Sequence, residues 1–195
     1  MIRRLADRLV AVDLLDQAAE LLQHQVDHRL QGGARAQVAT HLAVIYLINR
    51  KPQRALGTLQ ATHTAELSNE LRDQRLLLQA RALSDTGRHD LALELIVNLD
   101  SREAIRLRSD ILWSAKRWRA AAEQIEMLYG ERWKDFTPLT EPERFDILRA
   151  AIGYSLGDEP LGLARFRERY APIMMNTPDG RVFDVVSARA SKSRR

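Results

Sequence analysis

One pattern of side-chain size limits what this chain can fold into more than any other feature. A small residue is followed twelve positions later by a second small residue, and four positions after that by a large apolar one. The pattern occurs five times: Ala6–Ala18–Leu22, Ala43–Ala55–Leu59, Ala80–Ala92–Ile96, Ser109–Ala121–Ile125 and Ala150–Gly162–Phe166. In the first four sets a large apolar residue also stands three positions after the first small one, as Leu9, Tyr46, Leu83 and Leu112; Gly153 is the exception in the fifth. A twelve-residue interval fits two helices joined by a short turn. Helix backbones come within about 8–9 Å of each other where the crossing side chains are small. The large residue one turn later then fills the gap against the next pair. Pairs of this kind cannot bury their apolar faces alone, so they stack.

Local signals agree with helices throughout. The 195 residues include only nine Gly and six Pro, and Ala, Leu, Arg, Glu and Gln dominate. Apolar residues recur at three and four spacings, as in Leu14, Ala18, Leu21, Leu22 and Val26, or Ile105, Leu107, Ile111 and Leu112. Breaks fall at Gly32-Gly33, at Asn49 to Pro52, at Gly87 and at Gly157 to Pro160. Ser68 and Ser101 are positioned as N-caps, and Thr140 with Glu143 has the spacing of a capping box. The longest irregular stretch lies between Gly130 and Leu139, where Trp133 and Phe136 are expected to pin the loop to the helices. Near the end, Ala171-Pro172 is expected to close a helix. Thr177 is expected to cap a last short helix with Pro178 at its first position, and Val182, Phe183 and Val186 on one face.

The triplets and the turns within them resemble the tetratricopeptide repeat from Ile2 to about Tyr170. Asp16 to Leu22, Asp90 to Ile96 and Arg119 to Ile125 look like starts of the second helix of that unit. The resemblance is degenerate: the steps between second small residues are 37, 37, 29 and 41, whereas the family repeats near about 34. The family's closing Pro is also absent. The resemblance implies an all-α fold, a right-handed superhelix of about five antiparallel helix pairs with a short C-terminal capping helix. The expected division is a repeat domain over 1–172, a capping segment over 173–186 and a basic, disordered tail over 187–195. The first unit begins almost inside its first helix, so the chain is expected to be the C-terminal part of a larger bacterial repeat protein.

Composition removes several function classes. There is no cysteine, which excludes disulfides, thiolate zinc sites and a cysteine nucleophile. No apolar run reaches the roughly 18–20 residues of a membrane span, and no membrane insertion is expected. The 30 Lys and Arg exceed the 26 Asp and Glu by four, and Arg189, Lys192, Arg194 and Arg195 account for that whole excess. The body is therefore neutral, which argues against a phosphate-tracking nucleic-acid surface. A solvated end is the preferred reading of the tail over a binding arm. Absence of cysteine fits cytoplasm or periplasm, with cytoplasm favoured.

Catalytic patterns are missing. His24 and His28 are four apart on one helix, but no third ligand is identifiable, so two solvated imidazoles are the preferred reading and no metal is expected. Glu141, Glu143 and Asp146 are explained by a helix start, and Trp113, Trp118, Trp133 and Tyr129 by packing. No enzyme activity and no cofactor are expected. The resemblance instead implies a concave groove formed by first helices. Position by position it falls on Gln37, Thr40, Val44 and Leu47, then Gln74, Leu77, Arg81 and Ser84, then Glu103, Arg106, Asp110 and Trp113. The expected function is a non-catalytic scaffold that grips a peptide or partner helix with Leu47, Leu77 and Trp113 while Arg81 and Arg106 pair its acids. A self-associating structural segment, including a homo-oligomer, is the alternative, followed by a nucleic-acid-binding solenoid and a helical enzyme.

Overall fold

The structure is a computed structural model that describes residues 2–188. All its regular structure is helical, with no strand among the described residues. The chain divides into two compact units, one ending at Leu99 and one beginning at Asp100. The first contains α1 (Ile2–Ala11), α2 (Leu15–His28), α3 (Gly32–Ile48), α4 (Pro52–Ala61), α5 (Asn69–Asp85) and α6 (His89–Leu95). The second contains α7 (Arg102–Ser114), α8 (Trp118–Tyr129), a 3-10 turn at Arg132–Lys134, α9 (Glu141–Leu156), α10 (Pro160–Met174) and α11 (Gly180–Ser187). Within each unit a helix packs on its successor, and α3 also meets α5 as α9 also meets α11.

Five turns share one backbone geometry. Each holds a single residue in the left-handed region: Asp13 (φ 62°), Arg50 (55°), Gly87 (81°), Lys116 (59°) and Asp158 (52°). The next residue donates its N–H back across the turn. Leu14 donates to the carbonyl of Leu9 (2.8 Å), Lys51 to Tyr46 (2.8 Å), Arg88 to Leu83 (2.9 Å), Arg117 to Leu112 (2.8 Å) and Glu159 to Tyr154 (3.1 Å). The left-handed residues themselves donate three positions back, completing the two-bond helix stop known as the Schellman motif. Only Gly87 takes this conformation without a side-chain penalty. The other four positions are held in place by the helices they join.

The turn register resolves the irregular fifth set. In the first four sets the left-handed residue lies seven positions after the first small residue, and in the fifth it lies eight after Ala150. Tyr154, not Gly153, therefore supplies the carbonyl and takes the place of Leu9, Tyr46, Leu83 and Leu112. Gly153 has a different duty: a Cβ there would lie 2.9 Å from the Trp118 carbonyl oxygen, so α9 sits against α8 only with Gly at this point.

All members of the five triplets are buried. At the α7–α8 crossing Ser109 Oγ donates to the Ala121 carbonyl at 2.9 Å, which bonds the two predicted small sites directly. A Cβ on Gly162 would touch the Tyr154 ring at 3.0 Å. The predicted caps also form. Ser68 accepts from Leu71 N, Ser101 accepts from Ala104 N, and Thr140 and Glu143 exchange both bonds of a capping box.

The C-terminal elements differ from expectation. α10 runs through Pro172 to Met174 because Tyr170, Met174 and Phe183 bury together, which outweighs one lost helical N–H. α11 starts at Gly180 rather than at Pro178, and Thr177 instead turns its hydroxyl back to the Met174 carbonyl at 2.7 Å. Gly180 abuts α10 so closely that a Cβ would lie 2.5 Å from the Met175 carbonyl oxygen. Phe183 faces the core, Val186 is half-buried, and Val182 points outward, 51% exposed. Ser187, placed in the tail from sequence, is buried and accepts from Arg167 at 2.6 Å; the tail from 189 onward lies outside the described residues. Trp133 packs against the core beneath the Arg169 guanidinium (5.6 Å), as expected of a pin. Phe136 does not: it is 81% exposed.

Candidate functional site

The predicted groove residues of the first unit divide between face and interior. Gln37 is exposed and accepts from Arg3 at 3.0 Å. Thr40 is buried; it donates to the Ala36 carbonyl and accepts from Arg75 at 2.9 Å. Ser84 is buried against His89 Nδ1 at 3.0 Å. These internal bonds remove Thr40 and Ser84 from an open face. Gln74 and Arg81 are exposed, while Val44, Leu47 and Leu77 are half-buried. Leu47 packs against the unit's own core.

In the second unit the expected gripping residues already have partners. Arg106 donates to both carboxylate oxygens of Asp146, at 3.1 and 2.5 Å, and Tyr129 Oη donates to the same carboxylate at 2.6 Å. Asp146 is buried. Its hydrogen bonds hold the Arg106 guanidinium above its ordinary range, and burial, followed by Asp146, raises the Tyr129 phenol. Asp110 accepts from Arg149 at 2.7 Å, and that guanidinium lies 4.7 Å from the Trp113 ring. Trp113 meets Trp118 edge-on at 5.0 Å. Glu103 is exposed. The α7 positions thus face α9 through ion pairs, and the paired Arg106 side chain is still 44% exposed.

The turn register shows where the equivalent face continues. Glu103, Arg106, Asp110 and Trp113 lie 13, 10, 6 and 3 residues before Lys116. The same offsets before Asp158 give Phe145, Leu148, Ile152 and Ser155. Phe145 is 64% exposed, Leu156 is 54% exposed, and Ile152 is half-buried between them. Ile152, Ser155 and Leu156 of α9 form one wall of a groove of about 150 Å³, and Val185 and Val186 of α11 form the other. Only Ser155 is polar. Sequence reasoning missed this face because counting from Ala150 assigns its positions to Arg144, Ile147, Ala151 and Tyr154. The apolar run at 145, 148, 152 and 156 was the available signal.

Neither a metal centre nor a spanning helix is built from these elements. The His24 and His28 rings lie 4.9 Å apart on α2, tilted by 50°, and no group of three or more potential ligands exists among the described residues. No described helix is long and apolar enough to cross a membrane. Set against family models, curated proteins and solved structures, the chain matches none.

Proposed function

We propose that this chain is a non-catalytic interaction module made of tetratricopeptide-like antiparallel helix pairs stacked as a right-handed superhelix. Its docking face is the groove between α9 and α11, which receives a peptide or partner helix. The repeat reading is supported by the turn that recurs five times and by small residues buried at every predicted crossing. One observation carries the docking role: the face that is occupied by ion pairs on α7 is continued on α9 by Phe145, Leu148 and Ile152, which with the adjoining Leu156 make an apolar stripe left partly open to solvent. Exposed apolar residues that line a concavity are the usual mark of a recognition site. Leu156 supplies the anchor, Ile152 and Val186 the floor, and Val185 the opposite lip, while Phe145 stands exposed on the same stripe two turns before Ile152 on α9.

Peptides selected from a random display library test this directly. Selected sequences should bind the intact protein and lose at least tenfold in affinity against the double variant Leu156→Gln/Val185→Gln. Both sites are exposed, so the helical circular dichroism of the variant should stay unchanged. Selected peptides indifferent to the double change would contradict the reading.

A further inference from the structure

We propose that the first unit holds a small anionic amphiphile, an alkyl or aryl chain ending in a carboxylate, in the concavity between α1 and the α2–α3 hairpin. This goes beyond the docking role of the α9–α11 groove and does not depend on it. The concavity has a volume of about 460 Å³, against about 150 Å³ for that groove. Small-molecule sites run from about 300 to 1,000 Å³ and form between packed helices. Buried Leu22 and Val38 and half-buried Leu30 give this one an apolar floor. Ala34, on the first turn of α3, lines it and is exposed. A hollow of this kind suits a compact ligand that enters end-on better than a membrane surface or a helix lying across it.

The polar part of the lining is unbalanced in charge. It consists of Arg3, Arg4 and Gln25, with no acid. Arg3 donates to the neutral Gln37 Oε1 at 3.0 Å, which leaves its charge uncompensated. Asp7, the one acid on α1, lies 3.2 Å from His41 Nε2 instead. Among the described residues no carboxylate lies within ion-pair distance of Arg3 or Arg4, and the half-buried Gln25 makes no side-chain hydrogen bond. The second unit treats its arginines differently. There Arg106, Arg144 and Arg149 each pair with a carboxylate of the unit itself, Asp146, Asp179 and Asp110. Two guanidiniums with no acid beside an apolar hollow define a ligand by complementarity: an apolar body on the floor and a planar anion on the fork. Gln25 adds a neutral donor for the same head. Apolar contact supplies affinity, and the arginines supply the choice of an anion over a neutral or cationic head.

Isothermal titration calorimetry of the intact chain with decanoate, decanol and decyltrimethylammonium decides the matter. Decanoate should bind one to one and about tenfold tighter than decanol, with the cation weakest. The preference for decanoate should shrink at about 0.5 M salt. Arg3→Gln/Arg4→Gln should bring decanoate down to the affinity of decanol. Ala34→Phe should weaken all three ligands by filling the space. These sites are exposed, so the circular dichroism of both variants should match that of the parent. Leu156→Gln/Val185→Gln should leave decanoate binding unchanged, which separates this site from the α9–α11 groove. Failure to bind decanoate, or equal affinity for the three ligands, would overturn the proposal. Binding that ignores Ala34→Phe would overturn the location. Co-sedimentation with phosphatidylserine vesicles without binding of decanoate would overturn it in favour of a lipid surface, and capture of an acidic amphipathic peptide in place of decanoate in favour of a protein partner. A dimer in sedimentation that Ala34→Phe dissociates would overturn it in favour of a second copy of the chain.

Discussion

The two units use the same turn and fill the space between helices with opposite chemistry. Up to Leu99 the core is Ala, Leu, Ile and Val around Tyr46. One cation, Arg75, is buried in that unit and bonds to neutral oxygens: the carbonyls of Ala36 (2.9 Å), Leu59 (2.7 Å) and Thr62 (3.2 Å) and the hydroxyls of Thr40 (2.9 Å) and Thr62 (3.0 Å). Leu59 and Thr62 lie at the C-terminus of α4, where the helix dipole is negative and compensates a guanidinium with no carboxylate among its acceptors. From Asp100 onward the aliphatic core gains an aromatic cluster, with Phe166 at 5.7 Å from Tyr154, 4.7 Å from Tyr170 and 6.5 Å from Phe183. Shielded carboxylates take the place of the buried cation: Asp146 holds Arg106 and Tyr129, and Glu126 holds Tyr154, Arg165 and Arg169. A repeated turn with small residues at the crossing therefore sets the pairing of helices. It leaves the filling free to vary.

The largest expected effect is on the first unit. Arg75→Ala removes five buried hydrogen bonds and should cost about 3–5 kcal/mol in urea unfolding followed by circular dichroism. Arg75→Lys should recover only part of that, because an ammonium cannot span all five oxygens. Full stability of Arg75→Ala would remove the first half of the contrast. In the second unit Asp146→Ala leaves the Tyr129 hydroxyl and the Arg106 fork without their acceptor and should cost about 2–4 kcal/mol. Tryptophan fluorescence should record it, since Trp113, Trp118 and Trp133 all lie in this unit.

Alkali should weaken the second unit by a smaller amount. Burial, the largest cause, raises the phenols of Tyr129 and Tyr154 above the ordinary 10, and their carboxylate partners raise them further. Both rings are neutral in the folded state and ionise on unfolding once the pH passes 10. Their contribution is whole below pH 10 and declines as the pH rises beyond it, by about 1 kcal/mol per ring near pH 11. The urea midpoint read by tryptophan fluorescence should fall over that interval, and Tyr154→Phe should flatten the fall. A midpoint independent of pH up to 11 would contradict the burial argument. The smallest effect concerns what the units share. Arg50→Gly in one and Lys116→Gly in the other should each raise stability by about 0.5–1 kcal/mol, because both residues sit in the left-handed region. Opposite signs in the two units would break the claim of a common turn.

Much of this was legible from residue size and spacing. Ala55, Ala92 and Ala121 stand where the triplets place them because a close helix crossing excludes larger side chains, and caps at Ser68, Ser101 and Thr140 follow from local hydrogen bonding. Ion pairs were not legible. Arg106 and Asp146 are forty residues apart, and no local rule joins them. Arg106 therefore reads in sequence as a free cation, although in the structure it pairs at the surface with the buried Asp146. The α9 stripe was hidden by a one-residue shift of the last turn, visible only once Asp158 is identified as the left-handed residue. Phe136 misled for the reverse reason: an aromatic in a loop signals packing only when a surface lies within its reach.

The most direct test of the repeated crossing uses the absence of cysteine. Pairs of cysteines placed at the two small sites of the first four triplets, such as Ala43/Ala55 and Ser109/Ala121, should oxidise to disulfides quickly in all four sets, because facing Cβ atoms at a close crossing satisfy the geometry of that bond. A control pair, Ser109→Cys with Glu123→Cys, should remain reduced, since Glu123 lies on the exposed side of α8. Slow oxidation in the triplet pairs, or a rate no greater than the control, would contradict the account.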